Sequence, residues 1–198
     1  MIYFVTHPEV IIDPAVPVPE WDLSAEGHRR LEKMLEQPWV QTLAAVFSSA
    51  ERKSLSAAQR IAEWLGIQAV CLPDLGEVDR SATGYLERVE HSRVVAELFA
   101  RPMESARGWE RAIDAQRRIV RAVDRAAGMA PAGRAFAIES HGGVGTLLMN
   151  HLKRSAITRS DAPAGQGYYI VLDREVRELL QGWKAIDDLQ DEGPRNLF

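Results

Sequence analysis

The sequence predicts an α/β fold, a single three-layer α/β/α domain over residues 1–198 with a mainly parallel sheet. Three observations carry that expectation. Short runs rich in β-branched and aromatic residues alternate with stretches of helical periodicity. Strands separated by helices pair in parallel and need cover on both faces. The length fits one large domain, and no internal repeat divides the chain.

Met1 to Val5 reads as a buried strand that ends at Thr6-His7-Pro8, because proline ends or edges a strand. Pro14, Pro17 and Pro19 keep residues 11–21 out of a helix interior, so this stretch is an extended connection. Ser24 is the N-cap of a helix of about twelve residues, with Glu26 in its first turn and Leu31, Met34 and Leu35 on its apolar face. Leu43 to Phe47 is a second buried strand. After Ser48-Ser49, Leu55, Ala58, Ile61, Ala62 and Leu65 recur at helical spacing, and Gly66 ends that helix as a C-terminal cap. Ile67 to Leu72 is a third strand, Pro73 to Gly84 is polar and irregular, and the pattern from there to Arg101 is helical.

Trp109, Ala112, Ile113, Gln116, Ile119, Val120 and Val123 mark one face of a long helix. Its other face carries Arg111, Arg117, Arg118, Arg121 and Arg125. Glu110, Asp114 and Asp124 interleave with them, which favours a solvated, ion-paired face over a phosphate-binding stripe. Ala135 to Glu139 is a fourth strand ending at Ser140-His141-Gly142-Gly143, and Val144 to Leu152 is a helix. Tyr168 to Leu172 is a fifth strand, and Val176 to Trp183 is a sixth strand or a short helix. The region 80–130 is expected as a helical lid or insert, and the acidic tail over 187–198 as peripheral.

Lys+Arg 24 against Asp+Glu 28 leaves a formal charge of −4, so bulk electrostatics give no footprint for nucleic acid. Hydrophobic residues at 46% and charged residues at 26% are ordinary globular composition. No apolar run nears the roughly 20 residues that span a bilayer. The N-terminus lacks the charged start and cleavage region of a secretory signal, so a cytoplasmic location without a membrane partner is expected. A single cysteine, Cys71, excludes an intramolecular disulfide and a cysteine-based zinc site within one chain.

Ligands of open parallel sheets bind beyond the carboxyl ends of the strands. His7 follows the first strand and His141 the fourth, whereas His28, His91 and His151 fall within expected helices. One such histidine is ordinarily a hydrogen-bonded loop residue; two at equivalent strand ends point to a site. Gly142 and Gly143 offer open amides at a helix start, which favours an anion. Ser48-Ser49 lack the Gly-x-Ser-x-Gly setting of a hydrolase nucleophile and read as a helix cap. Glu9 reads as solvent-exposed, and Trp21 and Trp109 as packing at core or rim.

Taken in order, these pieces resemble the histidine phosphatase superfamily, the fold shared with phosphoglycerate mutases. Thr6-His7-Pro8-Glu9 stands where that family has a strand ending in Arg-His-Gly. Leu23-Ser24-Ala25-Glu26-Gly27 resembles the run that opens its first helix, and Phe47-Ser48-Ser49 with Ala57-Ala58 resembles its serine pair and threonine-alanine. Leu75-Gly76-Glu77 resembles the segment of its acidic proton donor, and Ile138-Glu139-Ser140-His141-Gly142-Gly143 its second-histidine motif. Gly165-Gln166-Gly167-Tyr168 resembles its glycine turn. The resemblance implies a phosphoglycerate mutase-like fold and a phosphatase acting on a small phosphorylated substrate, with inorganic phosphate as product. It makes His7 the nucleophile that becomes phosphohistidine, Glu77 the proton donor and His141 a donor to the phosphoryl oxygens. Lys53, Arg52, Thr6 and Gly142 would surround the phosphate, with no metal and no cofactor.

The sequence departs from that pattern where the family carries two pocket arginines. Thr6 stands at the first, Lys53 falls at the second with Arg52 beside it, and Pro8 removes a backbone N–H. Losing one transition-state donor costs about two to three decades in rate. The expectation is therefore a weak or narrowly specific phosphomonoesterase, with Lys53 as a point charge and Arg52 or Arg80 as replacement guanidinium. The alternative is a catalytically silent domain of the same fold acting in anion binding or protein interaction.

Overall fold

The computed structural model describes residues 1–188. Ile2–Thr6 (β1), Leu43–Ser48 (β2), Ala69–Cys71 (β3), Ala135–Ser140 (β4), Tyr168–Leu172 (β5) and Leu179–Ala185 (β6) form one sheet in the order β3-β2-β4-β1-β5-β6. β3, β2, β4 and β1 run parallel, whereas β5 is antiparallel to β1 and β6 to β5. The sheet is thus mixed, with four parallel strands running from the β3 edge to β1 and the antiparallel strands β5 and β6 at the opposite edge. No α-helix separates β5 from β6, and a short link joins only antiparallel neighbours. The segment left open between strand and helix is a strand from Leu179.

Five α-helices flank the sheet: Ala25–Leu35 (α1), Arg52–Leu65 (α2), Arg88–Ala100 (α3), Ala112–Met129 (α4) and Gly142–Leu152 (α5). All five residues of β1 are buried. Side chains alternate across a strand, so Ile2 and Phe4 enter the core with Ile119 of α4 and Leu147 of α5, while Tyr3 and Val5 enter that of Leu31 and Ile61 from α1 and α2. This two-sided burial makes β1 a continuous apolar run and gives the fold three layers. No helix among the described residues is long and apolar enough to cross a membrane.

Local signals set the helix ends. Ser24 Oγ accepts the Gly27 N–H at 3.1 Å, a cap worth about 1 kcal/mol. A Cβ on Gly27 would stand 2.2 Å from the Glu9 carbonyl oxygen, so α1 and the loop after β1 meet backbone to backbone. Arg30 of α1 then donates to Glu9 Oε1 at 2.6 Å and to Asp187 Oδ1 at 2.8 Å, which gives Glu9 a partner instead of open solvent. Asp187 begins the tail expected as peripheral; residues 189–198 of that tail lie outside the described residues.

Because β1 and β4 are neighbours in parallel, their carboxyl ends deliver His7 and His141 side by side. The His7 N–H continues the ladder to the Ser140 carbonyl at 3.1 Å. Within residues 80–130, α4 belongs to the helical layer, burying Ala112, Ala115, Ile119 and Val123. The loop after Glu77 and α3 border the site.

Candidate active site

The imidazole rings of His7 and His141 have centroids 5.3 Å apart and planes at 65°. Nδ1 of His7 lies 2.8 Å from the Pro8 carbonyl oxygen. Only an N–H bonds a carbonyl, so Nδ1 carries the proton and Nε2 keeps its lone pair. Burial pushes the His7 pKa down to about 4; the Pro8 carbonyl opposes this and the charges of Lys53 and Arg80 assist it. At neutral pH His7 is therefore an uncharged imidazole with a free ring nitrogen.

His141 is 1% exposed. Its Nε2 lies 2.8 Å from Ser49 Oγ, 3.4 Å from Ser54 Oγ and 3.2 Å from Glu51 Oε1. Its Nδ1 is buried and has no hydrogen-bond partner among the described residues. Burial lowers the His141 pKa well below the usual range, with Glu51 pulling the other way. For Glu51, burial resists ionisation, but His141 and the Lys53 ammonium outweigh it and hold the carboxyl at about 2. Lys53 Nζ donates to Glu51 Oε2 at 2.5 Å and to the Val18 carbonyl at 2.8 Å. The point charge expected to face a phosphate is thus balanced by a carboxylate of the same helix start. Sequence reasoning passed over Glu51, although a carboxylate two residues before the expected phosphate-binding lysine was a usable signal.

Glu77 closes the other side. Its Oε2 accepts the Gly143 N–H and its Oε1 the Val144 N–H, each at 2.9 Å. The amides at the start of α5, expected to favour an external anion, hold this chain's own carboxylate. Those amides also let α5 begin at Gly142, two residues earlier than periodicity suggested. A Cβ on Gly143 would come within 2.5 Å of Glu77 Oε1, so this close approach requires glycine. Glu51 Oε1 accepts the Glu77 N–H at 3.0 Å, linking this carboxylate to the histidine pair.

Arg118 corrects the reading of the α4 arginines as a solvated face. Arg111 and Arg117 do pair with Asp114 on the surface. Arg118 instead turns inward, paired with Glu110 at 2.7 Å, and donates to the carbonyls of Asp74 and Gly76 at 2.8 Å and of Glu77 at 3.0 Å. It fastens the loop that carries Glu77.

Thr6 and Arg52 are engaged elsewhere. The Thr6 hydroxyl donates to the Tyr168 carbonyl at 3.2 Å and accepts the Tyr168 N–H at 3.0 Å, serving the β1–β5 junction. Arg52 is exposed and donates to Asp22 Oδ2 at 2.8 Å. The structure therefore brings together His7, His141, Lys53, Glu77 and Gly142, and leaves Thr6 and Arg52 with other partners.

Two cavities that share Arg80 and His91 open onto this cluster. One, of about 320 Å³, is lined by His7, Lys53, Trp21 and Tyr85, the last two with ring centroids 5.7 Å apart. The other, of about 200 Å³, is lined by Glu77, Gly142, Gly143, Arg159 and Trp109. The two tryptophans expected as packing thus also form walls, and His91, set aside because it lies in a helix, faces both spaces.

The sequence model of a family described as "Histidine phosphatase superfamily (branch 1)" matches residues 12–175. No curated protein matches the chain. Among solved structures, the chain is similar to YhfR from Bacillus stearothermophilus, with a TM-score of 0.73, 19% identity and coverage of 91% of this chain and 94% of that one. It is similar to the native mycobacterial glucosyl-3-phosphoglycerate phosphatase, with a TM-score of 0.74, 17% identity and coverage of 93% and 98%. The same mycobacterial phosphatase in complex with inorganic phosphate gives a TM-score of 0.72 at 15% identity, with coverage of 92% and 93%.

Proposed function

The chain belongs to the histidine phosphatase superfamily, and from that premise we propose that it hydrolyses a phosphomonoester through a phosphohistidine at His7. The observation that carries this reading is the His7–His141 pair at 5.3 Å, with Nε2 of His7 left free by the Nδ1 bond to Pro8. The free lone pair attacks phosphorus; a P–N bond forms and the P–O bond to the leaving group breaks. Glu77, acting in its protonated form, gives that proton to the departing oxygen, and the carboxylate so formed then takes a proton from the water that cleaves the P–N bond. Glu51, held ionised, is unsuited to donate that proton. Splitting the displacement replaces one difficult step by two easier ones.

His141 acts on the phosphoryl oxygens. A phosphoryl dianion beside it favours its imidazolium, for which Glu51 is the counter-ion, and Nδ1–H then donates as charge develops in the transition state. The leaving group lies against Trp21 and Tyr85, whose rings suit an apolar or aromatic face. A phosphate-like ligand is also what the solved mycobacterial complexes with inorganic phosphate and with VO3 contain.

Incubating the chain with p-nitrophenyl phosphate, beside a His7→Ala control, tests the reading. We expect turnover, and an acid-labile phosphoenzyme on rapid quenching, only with His7 present. Equal traces in both proteins would support the second reading, a silent anion-binding domain. The Lys53–Glu51 pair, which cancels positive charge in the pocket, favours the catalytic silence in that reading and, of its two roles, protein interaction over anion binding.

A further inference from the structure

A transferring phosphoryl group carries about two negative charges, and a guanidinium meets two of its oxygens in one plane. Neither position expected to supply that plane does so here. The Thr6 hydroxyl is bonded to Tyr168, and Lys53, an ammonium and not a fork, is balanced by Glu51.

Arg80 stands apart from the other basic side chains near the site. It lies three residues after Glu77, is half-buried, and lines the cavity of His7 as well as that of Glu77. Its charge reaches both histidines, disfavouring protonation of His7 and of His141. Arg30, Arg52 and Arg118 each pair with a carboxylate, whereas no carboxylate pairs with Arg80 or Arg159 among the described residues; of these two, Arg159 is exposed and lines only the cavity of Glu77. Its partners carry no negative charge: Nη1 lies 2.7 Å from His91 Nε2, and the guanidinium carbon lies 5.8 Å from the centroid of Trp109.

These partners also aim it. A guanidinium nitrogen only donates, so His91 Nε2 must be the acceptor and therefore unprotonated. Burial, with the charges of Arg80 and Arg159, holds the His91 pKa down and keeps that lone pair available. Trp109 Nε1 donates to Thr83 Oγ1 at 2.8 Å, and the Thr83 and Gly84 N–H groups return to the Arg80 carbonyl at 3.1 and 3.0 Å. Side chain and backbone of Arg80 are thus fixed by one small network, and the rest of its N–H fork, without a hydrogen-bond partner among the described residues, can meet an anion's oxygens.

We propose that Arg80 is the guanidinium that binds the transferring phosphoryl group, supplied by the loop after Glu77 in place of the arginine absent from β1, with His91 and Trp109 as positioning residues. The assignment rests on the phosphatase reading above. It takes a tetrahedral oxyanion between the cavity of the nucleophile and that of the acid.

The test uses the full chain with Arg80→Ala, Arg80→Lys, His91→Gln and the Arg80→Ala/His91→Gln double variant. Orthovanadate and inorganic phosphate binding is read by calorimetry, turnover with p-nitrophenyl phosphate, and folding by circular dichroism. Arg80→Ala is expected to weaken vanadate binding at least tenfold and to lower kcat/KM by about two to three decades. Arg80→Lys recovers part of the binding and little of the turnover, because a point charge does not reproduce the planar fork. His91→Gln loses less, and adds nothing in the Arg80→Ala background, which a purely structural role for His91 would not give. Vanadate affinity of folded Arg80→Ala within twofold of wild type, with wild-type turnover intact, overturns the assignment and leaves the phosphatase reading standing. So does an Arg80→Lys protein with wild-type kcat/KM. Absence of both anion binding and turnover in the wild type overturns the two together.

Discussion

Glu51 Oε1 stands 3.2 Å from His141 Nε2, while its second oxygen holds Lys53 at 2.5 Å. One carboxylate thus serves as counter-ion to two cationic positions, the lysine permanently and the imidazole when it gains a proton. Lys53 and Glu51 thus cancel, and the His141 imidazole stays uncharged until an anion enters.

Removing that charge has separable effects. In Glu51→Gln the Lys53 ammonium remains buried without its counter-ion, and breaking such a pair costs about 3 to 5 kcal/mol. We expect that loss in the urea midpoint, together with a fall in kcat of about a decade or more as His141 loses support for its charged form. Adding Lys53→Met should restore stability but not turnover. Recovery of both would place Glu51 outside the chemistry.

His7 should titrate far from an ordinary histidine. Burial sets its pKa at about 4, so imidazole nitrogen shifts followed by NMR should stay flat from pH 7 to 5 and move only near 4. The unfolded chain binds this proton near 6.5. The contribution of His7 to stability is thus whole above 6.5 and is lost as pH falls through that window toward 4. A midpoint near 6.5 in the folded protein would mean that water reaches the ring.

Glu139 carries the opposite sign. It is 0% exposed, neither oxygen has a partner among the described residues, and burial raises its pKa to about 8. The folded protein holds this proton up to about 8, while the unfolded chain releases it near 4.5, so stability declines as pH rises through that interval. Glu139→Gln, which keeps the neutral shape, should match wild type at pH 4 and exceed it by up to about 3 kcal/mol at pH 7. Denaturant melts at pH 4, 7 and 9 check this; a gap independent of pH would refute it.

Gly143→Ala tests the seat of Glu77. The new Cβ would come within 2.5 Å of Glu77 Oε1 and push the carboxylate off the amides of Gly143 and Val144. We expect a loss of about 1 kcal/mol in stability, as for other helix-start partners. Hydrolysis of an alkyl phosphate, whose leaving group needs a proton, should fall by about a decade or more, and that of p-nitrophenyl phosphate much less. Equal losses on both substrates would argue against Glu77 as the acid.

What the sequence made legible follows from what is local. The five buried residues of β1 read as an interior strand because burial on both faces leaves no alternation, and Ser24 marked the start of α1 because its cap reaches only three residues ahead. His7 and His141 stood out because each follows an apolar run directly. The direction of β5 and β6 was hidden, since an apolar run is the same whichever way it is threaded. Glu51, His91 and Arg118 were missed for a related reason. Arg118 bonds the Glu77 carbonyl across 41 positions, and Glu51 meets His141 only after β2 and β4 have paired. Thr6 disclosed which guanidinium was lost and the sequence offered Arg52 or Arg80 near the site, but only the fold, which turns Arg52 to Asp22 and Arg80 to both cavities, tells them apart.

β1 lies between β4 and β5 and is laddered on both sides, whereas Arg80, Tyr85 and His91 come from chain outside the sheet. The nucleophile's mount and most of the wall that admits a guest thus come from different parts of the chain. Substitutions over 85–88, which leave Arg80 and His91 in place, can retune which molecules are accepted while the strand beneath His7 keeps every rung. In such an architecture selectivity drifts quickly and reactivity slowly, so kindred chains should diverge first in what they accept and only later in whether they react at all.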